Sequence, residues 1–434
     1  MSPPIFYDQD MVGAIETDRG APRLRYEEAW RLSPGAFPIS LTMPLAQIDH
    51  APDTVVPWLM NLLPEGEPLR AMTRAMGVSR DDVLGLIAET GRDLAGAMTI
   101  GRPRPGADPD LLPIATAEAL ERIIDSLPAR PFLVGDEDVS MSLAGAQDKL
   151  PLKLVEGRLA VPIGGASSTH ILKPDNPRLY GSVQNEALCM VLARRCGLPV
   201  AEVTTGVAGQ RSYLLVTRYD RFEQDGRTER LHQEDFCQTL GRPPVAKYQH
   251  NGSGTPGPSL AEMFAVVREH MTARDINRLL DAVIFNVAIG NVDSHAKNYS
   301  ILLRPGRADL APLYDLMSGL DWPNITSNHA QDIGGQRRGR HIYERHWRRM
   351  AQETGISGPA TVRRVVAVAE RVLAELPSAV KDVAAMPAGG EHLDRFAAAI
   401  AARAGLVRDH ARAEGPAEPD LAPELTTAAT HYEG

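Results

Sequence analysis

GNVDSHAKNYSILL, residues 290–303, is the stretch on which the reading of the fold turns. It follows TARDINRLLDAVIFNVAIG (272–290), where Thr272 and Asp275 form a capping box and the apolar residues are dense enough for a buried helix ending at a glycine. Within the stretch, Asp293 and Asn298 stand five residues apart. A carboxylate in such a loop can take a proton from an attacking hydroxyl, while an amide oxygen one loop-turn away can ligate a divalent cation, so both groups must face one cleft. Tyr299 to Leu303 then reads as a strand, RPGR as a turn, and LAPLYD as a returning strand that ends at Asp315. Such a hairpin delivers a second carboxylate beside Asn298.

Asp and Asn are common in turns, and alone this pair favours one. The helix before, the strand after, the hairpin and the second aspartate together match the D-x-x-x-x-N loop and metal-binding aspartate of phosphoryl-transfer enzymes, although YDL stands here where protein kinases have D-F-G. His295 either orients Asp293 or serves the packing of the loop; the sequence leaves both open.

Upstream, the chain alternates strand-like runs with one helix-like segment. SLAGAQDKLPLKL (142–154) is a strand-flanked loop with glycine at 145, weak by itself because it lacks the Walker pattern. Lys173 in HILKPD projects from a strand, where an ammonium can neutralise phosphate oxygens. Glu186, thirteen residues on at the start of the helix QNEALCMVLARRCG, either pairs with Lys173 or simply suits the helix dipole. YLLVTRYD (213–220) reads as a buried strand leaving into a polar connector, with Thr217 and Tyr219 flanking an edge that can offer backbone groups to a base.

Composition bounds these readings. The chain has 434 residues, 43% hydrophobic and 23% charged, enough for two or three lobes of an ordinary globular protein. A net charge of −9 argues against coating nucleic acid unaided, since counterion release needs a dense basic surface. Three cysteines without C-x-x-C spacing suggest neither a disulfide framework nor a zinc site. There is no apolar run of membrane-spanning length and no leader-like start, so a cytoplasmic protein is expected. GRPRPGADPD (101–110) reads as a proline-rich linker, and 414–434 as a frayed tail poor in large apolar residues.

Taken in order, these segments resemble the HipA family of serine/threonine kinases, the toxins of HipBA modules, along essentially the whole chain. PWLMNLLPEG (57–66) and GRDLAGAM (91–98) look like the family's amino-terminal domain, and SLAGAQDK like its phosphate loop. HILKPD looks like its lysine strand, LHQEDFCQTLG (231–241) with KY at 247–248 like the segment between its lobes, and GNVDSHAKNYS and LAPLYDLMS like its catalytic and metal motifs. The resemblance implies an α+β, two-lobed protein-kinase-like fold with a small amino-terminal lobe and a mainly helical carboxy-terminal one. The implied segments are an amino-terminal subdomain (1–105), a nucleotide-binding part (106–222), a catalytic lobe (223–413) and a flexible tail (414–434).

It further implies an enzyme using ATP and magnesium. Asp293 is then the base with His295 beside it and near the nucleotide, Asn298 and Asp315 hold the metal, and Lys173 binds phosphates. Leu143, Ala144, Gly145, Ala146, Gln147, Asp148 and Lys149 cover ATP, and Thr217, Tyr219 and Asp220 line its base. Ser142 resembles the regulatory autophosphorylation site, with Ser140 a rival acceptor. Asp148 stands where many members have Glu, and Thr217 where the hinge is often acidic, departures that touch nucleotide fit. The implied partners are a protein substrate such as an aminoacyl-tRNA synthetase, a HipB-like helix-turn-helix antitoxin, and DNA only through that antitoxin. Two other readings stand beside it: a kinase-shaped co-repressor without transfer activity, and a kinase of another protein or of a small molecule.

Overall fold

The structure, a computed structural model, describes residues 2–18, 20–105 and 110–416. The expected tail from 417 onward and residues 106–109 of the expected linker lie outside the described residues. Among these, no helix is long and apolar enough to cross a membrane. The chain forms two compact units: Met1–Pro174 with Gly206–Val245 and Ser300–Ala311, and Asp175–Thr205 with Ala246–Tyr299 and Pro312–Gly434.

The first unit is built on antiparallel sheets. One orders the strands Asp49–His50, Ala21–Tyr26, Asp10–Asp18, Pro4–Tyr7 and Met98–Ile100. Alternation places Ile5, Val12, Leu24 and Tyr26 in its core, as a half-buried sheet requires. A second runs Arg211–Thr217, His170–Pro174, Leu150–Val155, Arg158–Pro162 and Leu111–Pro113. Its central strands bury Leu150, Leu152, Leu172, Leu214 and Leu215. A third joins His232–Asp235 to the hairpin Ser300–Arg304 and Arg307–Leu310.

The expected hairpin after Asn298 is thus present, but its second strand ends at Leu310 and not at Asp315. Pro312 has no N–H to continue a ladder, and the chain leaves the sheet there. Leu313 instead meets Val200 in a parallel bridge, its N–H on the Pro199 carbonyl at 2.9 Å and its own carbonyl taking the Ala201 N–H at 2.8 Å.

The second unit is mainly helical. Its long helix, Gly358–Ala384, buries Val365, Val368, Ala369, Val372, Leu376, Ala379 and Val383, a three-and-four spacing that makes one continuous apolar face. The helices Leu393–His410, Ser182–Arg195, Glu344–Glu353 and Ala273–Ile289 pack on it. Ala273–Ile289 starts as its capping residues predict: the Thr272 hydroxyl donates to Asp275 at 2.6 Å and its N–H at 3.4 Å. It ends at Gly290, whose φ of +69° and closeness to Leu320, 2.4 Å from where a Cβ would sit, admit no side chain.

Candidate active site

Gly290 releases the chain into a loop that satisfies its own polar groups. The Asn291 side chain donates to Asn286 Oδ1 at 3.0 Å and accepts the Asp293 N–H at 3.1 Å. Asn286 in turn donates to the Tyr299 hydroxyl at 2.8 Å, and burial pushes that phenol up to about 12. The Asp293 carbonyl accepts both the His295 N–H at 2.7 Å and the Asn298 side-chain amide at 2.8 Å. From 290 to 300 every residue is buried except Asp293. The loop therefore presents one carboxylate on a rigid base.

Because Asn298 uses its nitrogen on the loop, its amide oxygen is the group it can offer a cation. Asp315 follows Tyr314, whose phenol donates to the Lys297 carbonyl at 2.6 Å, so the residues just before Asn298 and Asp315 are joined directly. Asp315 has φ +57°, a conformation uncommon for a non-glycine residue and one that collects at functional sites. No cluster of three or more His, Cys, Asp and Glu able to hold a metal occurs among the described residues. Magnesium takes one or two carboxylates and completes its shell with water and substrate phosphates, so one amide oxygen and one carboxylate fit it.

His295 is buried within the loop. Its backbone caps the loop, while its ring lies edge-on to Tyr248, centroids 5.2 Å apart. The Asp293 carboxylate accepts from the Tyr248 hydroxyl. Spacing could not reveal this partner, which lies forty-five residues upstream; its one signal was the KY pair at 247–248.

In the first unit, the loop Ser142–Lys149 is seated on residues 62–65. The Ser142 hydroxyl donates to the Leu62 carbonyl at 3.0 Å, its N–H to the Asp93 carbonyl at 3.2 Å, and the Glu65 N–H reaches the Gly145 carbonyl at 3.1 Å. Gly145 has φ +108°, and Lys149 Nζ crosses the loop to the Ala144 carbonyl at 2.6 Å. Ser142 and Leu143 are buried and residues 144 to 149, Ala146 and Gln147 among them, are half-buried. Burial raises the Asp148 carboxyl against the pull of Lys149 and Arg211. Ser140 donates to the Glu89 carbonyl at 2.6 Å. Lys173 sits buried on the strand His170–Pro174 opposite Leu214. Glu186 is buried on the helix Ser182–Arg195 and so belongs to the other unit.

Thr217 ends its strand opposite His170. In the polar connector that follows, Arg218, Asp220 and Arg221 are buried in an ion cluster with Asp93 and Arg230. Arg218 and Arg221 each bond Asp220 within 2.9 Å and the Leu94 carbonyl at 2.8 Å, and Arg221 meets Asp93 at 3.0 Å. Beside these guanidinium groups both carboxyls are held well below the usual range, although burial alone would raise them. The Asp220 carboxylate is thus committed within the protein. Tyr219 donates to Gln233, and burial raises its phenol.

Residues 4–101 match the HipA N-terminal domain and residues 141–380 the HipA-like C-terminal domain. A protein of Sinorhizobium fredii named as a kinase, Y4mE, is 37% identical over 93% of this chain and 98% of its own. The serine/threonine-protein kinase toxin HipA of Shewanella oneidensis is 33% identical over 71% of this chain and 73% of its own. The chain belongs to the HipA family. The Shewanella oneidensis HipA solved with HipB and operator DNA superposes with a TM-score of 0.83 at 27% identity, over 95% of this chain and 100% of that one. The HipA fold, two-lobed and α+β, is therefore the fold of this protein.

Proposed function

We propose that this HipA-family protein transfers the γ-phosphoryl group of ATP to a serine or threonine hydroxyl of another protein. The observation that carries the reading is Asp293, the one residue from 290 to 300 that is not buried, with Asn298 tied to its carbonyl. In this reading Asp293 accepts the proton of the attacking hydroxyl as the new O–P bond forms and the bond to ADP breaks. Asn298 and Asp315 would hold magnesium, which when bound screens charge on the phosphates. Lys173 and the loop Leu143–Lys149 hold those phosphates, and the backbone around Thr217 to Asp220 receives the base.

Asp293→Asn should slow transfer by roughly a hundredfold to ten-thousandfold, the usual worth of a positioned base, with ATP affinity kept. Asp315→Asn should weaken magnesium-dependent ATP binding, because a hard oxygen ligand is lost. Transfer and ATP affinity measured on both variants test this; near-native transfer by Asp293→Asn would remove the assigned base.

The acceptor we propose is a translation component such as an aminoacyl-tRNA synthetase, with growth arrest as the result, and the partner a HipB-like antitoxin that supplies DNA contact. Support for the partner comes from the relative solved with HipB and operator DNA, which also favours a co-repressor role beside catalysis. Comparing phosphopeptides in cells expressing the wild type and Asp293→Asn tests the acceptor, and co-purification tests the partner.

Ser142 is the proposed autophosphorylation site. Its hydroxyl is fully buried on the Leu62 carbonyl, so modification requires the loop to leave its seat. A phosphate of about −1.5 to −2 charges then opposes return beside ATP. Active protein should carry phosphate at Ser142 and Asp293→Asn should lack it; a phosphate that leaves ATP binding unchanged would remove the switch.

A further inference from the structure

Tyr248 lies in KYQHNGSGTPGPS (247–259), a polar, glycine-rich segment in which the sequence shows no chemistry. Its main chain is nevertheless fixed on both sides. Toward the catalytic loop, the Lys247 carbonyl accepts the Ala296 N–H at 3.1 Å. Toward the strand Asn328–Ile333, the Gln249 N–H donates to the Ala330 carbonyl at 3.0 Å. The Gln249 side chain reads Asp332 twice, donating to its carboxylate at 3.1 Å and accepting its N–H at 2.9 Å. Behind it, the Asn251 amide donates to the carbonyls of Tyr248 at 2.9 Å and Thr255 at 3.1 Å, closing a tight loop.

The ring is fixed as well. It meets His295 edge-on, and the Lys247 ammonium lies 5.6 Å from its centroid. With backbone and ring both held, the hydroxyl donates to Asp293 Oδ1. A carboxylate on a short side chain rotates freely unless an oxygen is pinned, and a base misplaced by about 1 Å can lose on the order of a hundredfold in rate.

We infer that Tyr248 is a positioning residue of the transfer step: its phenol sets the torsion of the Asp293 carboxylate so that the acceptor hydroxyl finds a proton acceptor in line. Tyr248 keeps its own proton throughout; the acceptor's proton goes to Asp293. This rests on Asp293 being the base, and the test separates the two claims.

Tyr248→Phe keeps the ring and its contacts and removes the oxygen alone. Wild type, Tyr248→Phe, Asp293→Asn and the double variant of the full chain are compared with γ-labelled ATP, reading label on the chain itself and on dephosphorylated casein. Melting temperature and the affinity for a fluorescent ATP analogue are read in parallel. Tyr248→Phe should lower kcat by roughly ten- to hundredfold with KM for ATP within about twofold and an unchanged melting temperature. In the Asp293→Asn background it should lower transfer no further, because a residue acting through Asp293 has nothing left to act on.

Near-native kcat in Tyr248→Phe beside an inactive Asp293→Asn overturns the positioning role and leaves the base standing. A further loss in the double variant shows that Tyr248 acts elsewhere and also overturns it. A parallel fall in melting temperature and ATP affinity assigns Tyr248 to packing. Full transfer by Asp293→Asn removes the base and the inference together.

Discussion

Gly257 constrains the segment that carries Tyr248. A Cβ there would lie 1.9 Å from the Tyr248 carbonyl oxygen and 2.4 Å from that of Ala246, and backbone cannot yield as a flexible side chain does. Gly257→Ala should therefore push residues 246–248 off their seat, lowering both melting temperature and kcat; activity per folded molecule equal to wild type would show that the segment shifts without moving Tyr248. The candidate pair Asp293 and Asn298 could be named from the sequence because both lie on one short loop. Tyr248 and Leu62 could not, because each reaches its partner only by packing of remote segments, Leu62 through a backbone carbonyl that no side chain announces.

At the scale of elements, the buried ions around Asp93 join three stretches of chain. Its carboxylate takes the Ser168 N–H at 3.1 Å and hydroxyl at 2.6 Å and faces Arg218, Arg221 and Arg230, while its carbonyl takes the Ser142 N–H that anchors the loop Ser142–Lys149. Three arginines surround two aspartates here, so removing one carboxylate leaves buried charge uncompensated. Asp93→Asn should cost roughly 3–5 kcal/mol, far more than an exposed ion pair is worth. Urea unfolding measures this; a loss below about 1 kcal/mol would mean that water reaches the cluster. The Thr272–Gly290 helix, read from its caps, keeps its expected start and end, whereas the strand expected to reach Asp315 stops at Leu310. The ion cluster was hidden because the charges of RYDR show no partner in the sequence until Asp93 and Arg230 are placed around them.

For the whole molecule, buried groups shape the response to pH. Burial pushes His232 and His329 down to about 4, and Glu234 up to about 8. The two histidines are neutral when folded, so the stability they contribute is present above the unfolded value of 6.5 and is lost as pH falls toward 4. Glu234 is protonated when folded. Its contribution is complete below the unfolded value of 4.5 and is lost as pH rises through about 8. Near pH 5.5 two imidazoles outweigh one carboxyl and stability climbs with pH; near 7.5 the carboxyl dominates and stability falls, by up to about 1.4 kcal/mol per pH unit for one proton. Stability should peak between about pH 6 and 7, and Glu234→Gln should flatten the alkaline side. Melting curves from pH 5 to 9 decide it, and equal alkaline slopes in both proteins would place the falling limb elsewhere.

The route of the chain between its two units bears on synthesis. The first unit takes its last strands from residues 300–310, and the chain passes from one unit to the other at 174, 205, 245, 299 and 311. On a ribosome neither unit can close when its first residues emerge: the strand His232–Asp235 waits for Ser300–Arg304, and the long helix that organises the second unit, Gly358–Ala384, comes later still. Asp293 thus leaves the exit tunnel before the scaffold that holds it exists. A chain truncated before Gly358 should carry the candidate loop 290–303 and no phosphoryl-transfer activity, so any activity would begin only after residues 358–384 have been made.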